Sequence, residues 1–120
     1  MENCIFCKIA AGQIPATIVH QDEDLIAFKD IRPAAPVHLL IIPRMHLDTL
    51  SATGPEHHTL LGKMLVLAAN LAEKSGCAPV LQVDGSLAGG YKTLINTGPD
   101  GGQEVYHLHM HVIGGPKPWR

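Results

Sequence analysis

Val105-Tyr-His-Leu-His-Met-His-Val-Ile113 is the stretch from which the fold is best read. Side chains on an extended segment alternate faces with period two. Read as one strand, the stretch sends Tyr106, Leu108, Met110 and Val112 to one side and Val105, His107, His109, His111 and Ile113 to the other. The first set can pack beneath an amphipathic helix. The second sets three imidazoles in a row at intervals of ~7 Å, away from the main apolar core. One histidine among apolar neighbours is ordinarily a satisfied core residue, but three in register call for a chemical reason. A neutral imidazole, with an unperturbed pKa of ~6.5, keeps a lone pair on one nitrogen near neutral pH and is a good nucleophile.

The turn Gly98-Pro-Asp-Gly-Gly102 leads into this strand. Glycines let backbone amides come close to an anionic phosphate and point at it together. The Gly-Lys-Ser/Thr ending of a Walker loop is missing, so the turn is either a hairpin connection or, beside the histidines, a phosphate cradle. Before it lies a strand from Tyr91 to Asn96. The clearest helix runs from about Gly54 to Ser75, with Leu60, Leu61, Met64, Leu65, Ala68, Leu71 and Ala72 on one stripe. Thr53 and Glu56 form a capping-box pattern at its start, Pro55 sits in its first turn, and Gly76 can supply the left-handed residue past its end.

Further upstream, Val37 to Ile42 is almost uniformly apolar and ends at Pro43, which predicts a central strand covered on both faces, with His38 the odd residue in it. Thr17 to Gln21 and Asp24 to Asp30 read as a hairpin about Asp22 and Glu23, and Cys4 to Ala11 as a short helix ending at Gly12. The expectation is one α+β domain over residues 1–120, with a five-stranded antiparallel sheet, one long helix and one short N-terminal helix. The formal charge of −2 excludes a strong field toward nucleic acid or an anionic membrane. No apolar run reaches the ~20 residues of a membrane span and the N-terminus lacks a signal-peptide pattern, so the cytoplasm is the expected location.

A second constellation joins Cys4, Cys7, His46 and His107, two thiols and two imidazoles of the kind tetrahedral zinc takes. A redox-active CxxC is the alternative, but no strand precedes the helix to build a thioredoxin-like unit. Other candidates read as structural or solvated: Cys77 as a half-buried loop thiol, His57 and His58 as first-turn surface residues, His20 as a strand surface residue. Lys92, Lys117 and Arg120 are isolated cations.

His107-Leu-His109-Met-His111-Val-Ile113 resembles the His-x-His-x-His signature of the histidine-triad family. Cys4-Ile-Phe-Cys7-Lys-Ile, Ile14-Pro15, Ala27-Phe28-Lys-Asp30-Ile31, Pro36-Val-His38, Ile42-Pro43-Arg-Met-His46, Asn96 and Gly101-Gly-Gln-Glu-Val-Tyr-His107 follow in the family's order. Gly114-Gly115 and Trp119 resemble its Hint branch, the purine nucleoside phosphoramidate hydrolases. The resemblance implies that His109 is the nucleophile and forms a nucleotidyl-histidine intermediate, with His38 and His111 orienting it and binding phosphate oxygens. It implies that Asn96, Gly102, Gln103 and the Val105 amide hold the phosphate and the leaving group, that Asp30 accepts from the ribose hydroxyls, and that Ile5, Phe6, Ile9, Phe28 and Ile31 enclose the base. A core role for those five apolar residues is the alternative. Glu104 departs from the family, where several members carry a serine that touches substrate.

Three functions follow as alternatives: hydrolysis of the P–N bond of purine nucleoside phosphoramidates, or of aminoacyl-adenylates; dinucleoside polyphosphate hydrolysis or nucleotidyl transfer; and a nucleotide-binding adaptor with residual catalysis. No cofactor is expected to be needed for catalysis, and a structural zinc at Cys4, Cys7, His46 and His107 is expected, with free thiols as the alternative. A twofold homodimer is expected from the apolar area that one helix leaves uncovered. The resemblance places the interface at the long helix and the Tyr91 strand, forming a ten-stranded sheet with Trp119 near the partner's nucleotide pocket.

Overall fold

A computed structural model describes residues 3–119. The elements are α1 (Ile5–Ala10), β1 (Ile18–Gln21), β2 (Leu25–Lys29), β3 (Val37–Pro43), α2 (His58–Lys74), β4 (Val80–Leu81), β5 (Leu87–Ala88), β6 (Tyr91–Leu94) and β7 (Met110–Gly114). Five strands form one sheet in the order β1-β2-β3-β7-β6, every neighbour antiparallel. This is the α+β architecture read from the sequence. A small hairpin, β4 with β5, projects from the stretch between α2 and β6.

β3 is central because it has no polar face. Leu39 and Ile41 join the larger apolar cluster with Met64, Leu67, Ala68, Leu71 and Ala72 of α2, while Leu40 and Ile42 join Phe6, Ile9, Ile26 and Phe28 on the opposite side. The two layers place α2 over one face of the sheet and α1 over the other. β7 obeys the same alternation: Met110 and Val112 face α2, and in register Leu40 lies opposite His111 and His38 opposite Ile113. His38 and His111 thus share the α1 face on adjacent strands.

Several expectations change. β7 begins only at Met110, so residues 104–109 stand outside the ladder. The cause is the partner: Ile41 pairs with Met110, and β3 ends at Pro43, leaving little strand to pair with earlier residues. Tyr106 is accordingly exposed and not packed under α2. On α2, Leu67 is buried and Leu65 exposed, because positions 64, 67, 68, 71 and 72 make the tighter helical stripe. The helix start is also different. Short 3₁₀ turns at Leu50–Ala52 and Pro55–His57 precede it, Thr53 Oγ1 donates to the Leu50 carbonyl (2.7 Å), and the Gly54 N–H donates to His57 Nδ1 (3.0 Å). No Thr53–Glu56 box forms, and His57 turns inward and is buried. Gly76, at φ +78°, ends α2 as read. Among the described residues no helix is long and apolar enough to cross a membrane.

Candidate functional site

His109 is buried at the edge of the α1 face, its ring 5.1 Å from that of Phe6 in an edge-to-face contact. Its Nδ1 lies 2.8 Å from the carbonyl oxygen of His107. A carbonyl can only accept, so Nδ1 carries the proton and Nε2 keeps its lone pair. The same logic runs through the neighbouring imidazoles. The Ala34 N–H donates to His38 Nδ1 (3.0 Å), so neutral His38 carries its proton on Nε2 and donates it to His111 Nδ1 (2.9 Å). Neutral His111 then holds its own proton on Nε2. Burial pushes the His111 pKa down to about 4, helped by the neighbouring His109 and His38 rings. Burial also lowers that of His38, against the opposing pull of Asp30, whose Oδ2 is 3.4 Å from His38 Nε2. His38 and His111 are thus neutral near neutral pH, the tautomer of His38 set by the Ala34 amide and that of His111 by His38.

The turn before the histidines is tightly built. Gly98 and Gly102 have φ of +73° and +80°, and a Cβ on Gly101 would meet the Thr97 carbonyl oxygen at 2.3 Å. Asn96 Nδ2 donates to the Gly101 carbonyl (2.8 Å). Gln103 is buried; its Oε1 accepts from the Gly98 N–H (3.0 Å), and its Nε2 donates to the carbonyls of Asp48 (2.8 Å) and Val105 (3.0 Å). Its side chain is therefore committed to the loop itself. Asp30 Oδ1 accepts from the Arg32 N–H (2.8 Å).

The apolar residues assigned to the base divide. Phe6, Ile9 and Phe28 are buried in the α1-side cluster, whereas Ile5 is half-exposed and Ile31 is 92% exposed. Glu104 is exposed. Trp119 folds back on its own chain, donating from Nε1 to the Gly115 carbonyl (2.9 Å), with the Lys92 and Lys117 ammonium groups 5.6 and 5.2 Å from its ring centre. Cys77 is fully buried, its thiol donating to the Ala72 carbonyl (3.4 Å), which leaves it inert. His20 pairs with Asp22 at 2.7 Å and draws that carboxyl down to about 2. Arg120 lies outside the described residues.

Cys4, Cys7, His46 and His107 converge, their ligand atoms all within 4.8 Å of one another. His107 Nδ1 is 3.3 Å from Cys4 Sγ and 3.4 Å from Cys7 Sγ, and His46 Nδ1 is 3.3 Å from Cys7 Sγ. Both rings are turned for ligation. His107 Nε2–H donates to the Pro43 carbonyl (2.8 Å) and His46 Nε2 pairs with Asp48 Oδ1 (2.6 Å), which frees both Nδ1 lone pairs. Zinc at ~2.3 Å from sulfur and ~2.05 Å from nitrogen gives tetrahedral edges of about 3.5 Å, so the donor set fits the ion. Asp48 and the Pro43 and His107 carbonyls were not read from the sequence; the spacing His46-x-Asp48 is the one signal that marks any of them. The group Asp30, His38 and His111 is also close enough to hold a cation, but the Ala34 amide leaves the His38 proton on Nε2 and makes it a hydrogen-bonded relay.

A family model described as scavenger mRNA decapping enzyme C-term binding matches residues 3–119. Protein HitA of Neisseria gonorrhoeae is 53% identical over 116 residues, spanning 97% of this chain and 99% of that protein. The purine nucleoside phosphoramidase of Escherichia coli K12 is 45% identical over 114 residues, 95% of this chain and 88% of the relative. A HIT family hydrolase from Legionella pneumophila superposes with a TM-score of 0.84 at 45% identity, covering 96% of this chain and 95% of that one. A zinc-bound histidine triad family protein from Mycobacterium smegmatis superposes at 0.73 and 32% identity, covering 94% and 75%. The likeness first seen in one strand thus runs the length of the chain, and the protein belongs to the histidine-triad family.

Proposed function

We propose that this single-domain protein is a nucleotide hydrolase that releases the leaving group of purine nucleoside phosphoramidates or aminoacyl-adenylates through a nucleotidyl intermediate on His109. The observation that carries the reading is the 2.8 Å bond from His109 Nδ1–H to the His107 carbonyl, which aims a lone pair from Nε2. The name of the Escherichia coli relative, at 45% identity, supports the phosphoramidate class.

On this reading Nε2 attacks phosphorus while the neutral His111 ring donates its Nε2–H as a hydrogen bond to a phosphate oxygen, and the P–N bond breaks, the departing nitrogen keeping the electron pair and taking a proton from water. The positive charge gained by the His109 ring is met by the carbonyl that already accepts its Nδ1–H. Water then attacks phosphorus, loses its proton to the hydroxide left at the first step, and frees His109 with the nucleoside monophosphate. The Gly102 and Val105 amides and Asn96 hold phosphate oxygens, and Gln103 serves by bracing the loop they belong to. Asp30 receives the ribose hydroxyls through Oδ2. Phe6, Ile9 and Phe28 back the base, with Ile5 and Ile31 as its solvent-side wall and Trp119 at the far end of the leaving group.

One zinc per chain at Cys4, Cys7, His46 and His107 completes the protein, supported by the fit of the donor set and by the zinc-bound Mycobacterium relative. It supplies structure, and no chemical step passes through it. A homodimer is part of the same reading. The decisive experiment compares turnover of an adenosine phosphoramidate, diadenosine polyphosphates and a nucleotide sugar. Clear preference for the first is expected. Preference for either other class moves the protein to a polyphosphate hydrolase or transferase, and binding of AMP without turnover of any makes it an adaptor.

A further inference from the structure

We infer that the cluster of Cys4, Cys7, His46 and His107 positions the nucleophile, acting through the backbone of His107. The inference rests on zinc occupying that cluster. It begins with what does not hold His109: β7 starts at Met110, so no ladder hydrogen bond reaches the nucleophile. What orients its ring is the carbonyl of His107, two residues earlier. The place of that carbonyl depends on the His107 side chain, which is wholly buried and has two tethers: Nε2–H to the Pro43 carbonyl, and Nδ1 toward the thiols of Cys4 and Cys7.

The surrounding contacts all tie the same three pieces of chain together. The Leu108 N–H donates to the carbonyl of Leu47, next to the ligand His46. Phe6, between Cys4 and Cys7, sets its ring against those of both His107 (6.0 Å) and His109 (5.1 Å). Four ligands around one ion therefore lock the N-terminal helix, the exit of β3 and the segment 104–109 into one body that ends at the nucleophile. With the cluster open, the His107 ring keeps only the Pro43 carbonyl. The larger apolar cluster beneath α2 contains none of the four ligands, so the sheet and that layer do not depend on the ion. His38 and Asp30 stand on or beside β2 and β3 and keep their contacts.

Metal withdrawal should thus loosen one side chain's aim without melting the sheet. The test uses the zinc-loaded enzyme, the same enzyme after chelation, Cys7→Ala, and the pair His46→Ala and His46→Cys. Circular dichroism reports the fold, metal analysis the ion, amide exchange the segment 105–109, and ring ¹⁵N shifts the tautomer of His109. The expected result is a native sheet, faster exchange at 105–109 than at β3, and a change of the His109 shifts from the single Nδ1–H form to a mixture. kcat on an adenosine phosphoramidate falls about a hundredfold with a much smaller change in KM, as a misaimed group requires. His46→Cys, which keeps a ligand, restores the tautomer and kcat, whereas His46→Ala does not. Unchanged His109 shifts and kcat after metal loss overturn the inference, as does wild-type protein purified without metal. Collapse of the whole sheet on chelation and in Cys7→Ala overturns it too, because the role is then plain stability. If the loaded enzyme turns over no phosphoramidate, the hydrolase reading fails by itself, and the His109 shifts and exchange still decide the positioning role.

Discussion

At the scale of single residues, the site is a set of imidazoles whose protons are assigned by groups that can only donate or only accept. His109 is aimed by a carbonyl, His38 by an amide, and His111 by His38. Replacing His109 with alanine should leave the fold and AMP binding largely intact and abolish turnover, checked by calorimetry with AMP and by single-turnover assay. Retention of more than about a tenth of wild-type turnover would favour direct attack by water. His111 also predicts a pH dependence. Its folded pKa of about 4 lies below the ordinary 6.5, so between those values the unfolded chain binds the proton and the native one does not. Its share of stability is complete above the unfolded value and is lost as pH falls from about 6.5 toward 4. The melting temperature of the wild type should therefore fall more steeply over that window than that of His111→Gln. Equal slopes would remove His111 as the cause. The row of histidines was legible because period-two spacing is a property of sequence alone. The tautomers were not, since they depend on the Ala34 amide and the His107 carbonyl, which carry no residue-specific mark.

At the scale of elements, the sequence reads well wherever a single period governs the chain and poorly wherever a strand's extent is set by its partner. β3 and the buried stripe of α2 follow from apolar spacing, while β7 is shortened by the end of β3 and the start of α2 is rerouted by His57. The β4–β5 hairpin was missed because its apolar residues are exposed and obey no core pattern. In the Gly98–Gly102 turn, two glycines are present for different reasons, and the difference can be measured. Gly98 has open space where a Cβ would stand and needs glycine only for φ +73°, so Gly98→Ala should cost about 1 kcal/mol. At Gly101 a methyl would strike the Thr97 carbonyl at 2.3 Å, and backbone must move, so Gly101→Ala should cost about 3 kcal/mol. Chemical denaturation of both variants decides the order. Because Asn96 grips the Gly101 carbonyl, Gly101→Ala should also lower kcat/KM where Gly98→Ala does so less. Reversal of the order would mean that conformation and not contact dominates the turn.

At the scale of the whole molecule, apolar surface is left where a second copy can cover it. Leu65 and Val66 are exposed on the outer side of α2, β6 is an edge strand, and the hairpin carries exposed Val80, Leu81, Val83 and Leu87. An unpaired strand edge beside an apolar helix face invites pairing, and a twofold axis satisfies both copies with the same patch. Antiparallel pairing of β6 with its counterpart would extend two five-stranded sheets into one of ten strands and bring the two α2 helices together. Trp119, held by Gly115 and flanked by Lys92 of β6, would then stand at the border between copies, where it can reach the partner's leaving-group site. A stable interface of this kind buries about 800 Å² on each partner, so two charges at its centre should break it. Light scattering at micromolar concentration should give twice 12.9 kDa for the wild type and a mass near 12.9 kDa for Leu65→Glu with Val66→Glu. On the proposed reading, which puts the phosphorus chemistry within one chain and the far end of the substrate at the partner, the double variant should keep the reactivity of His109 and lose selectivity among leaving groups. A wild-type mass near 12.9 kDa would end the dimer and the shared site together.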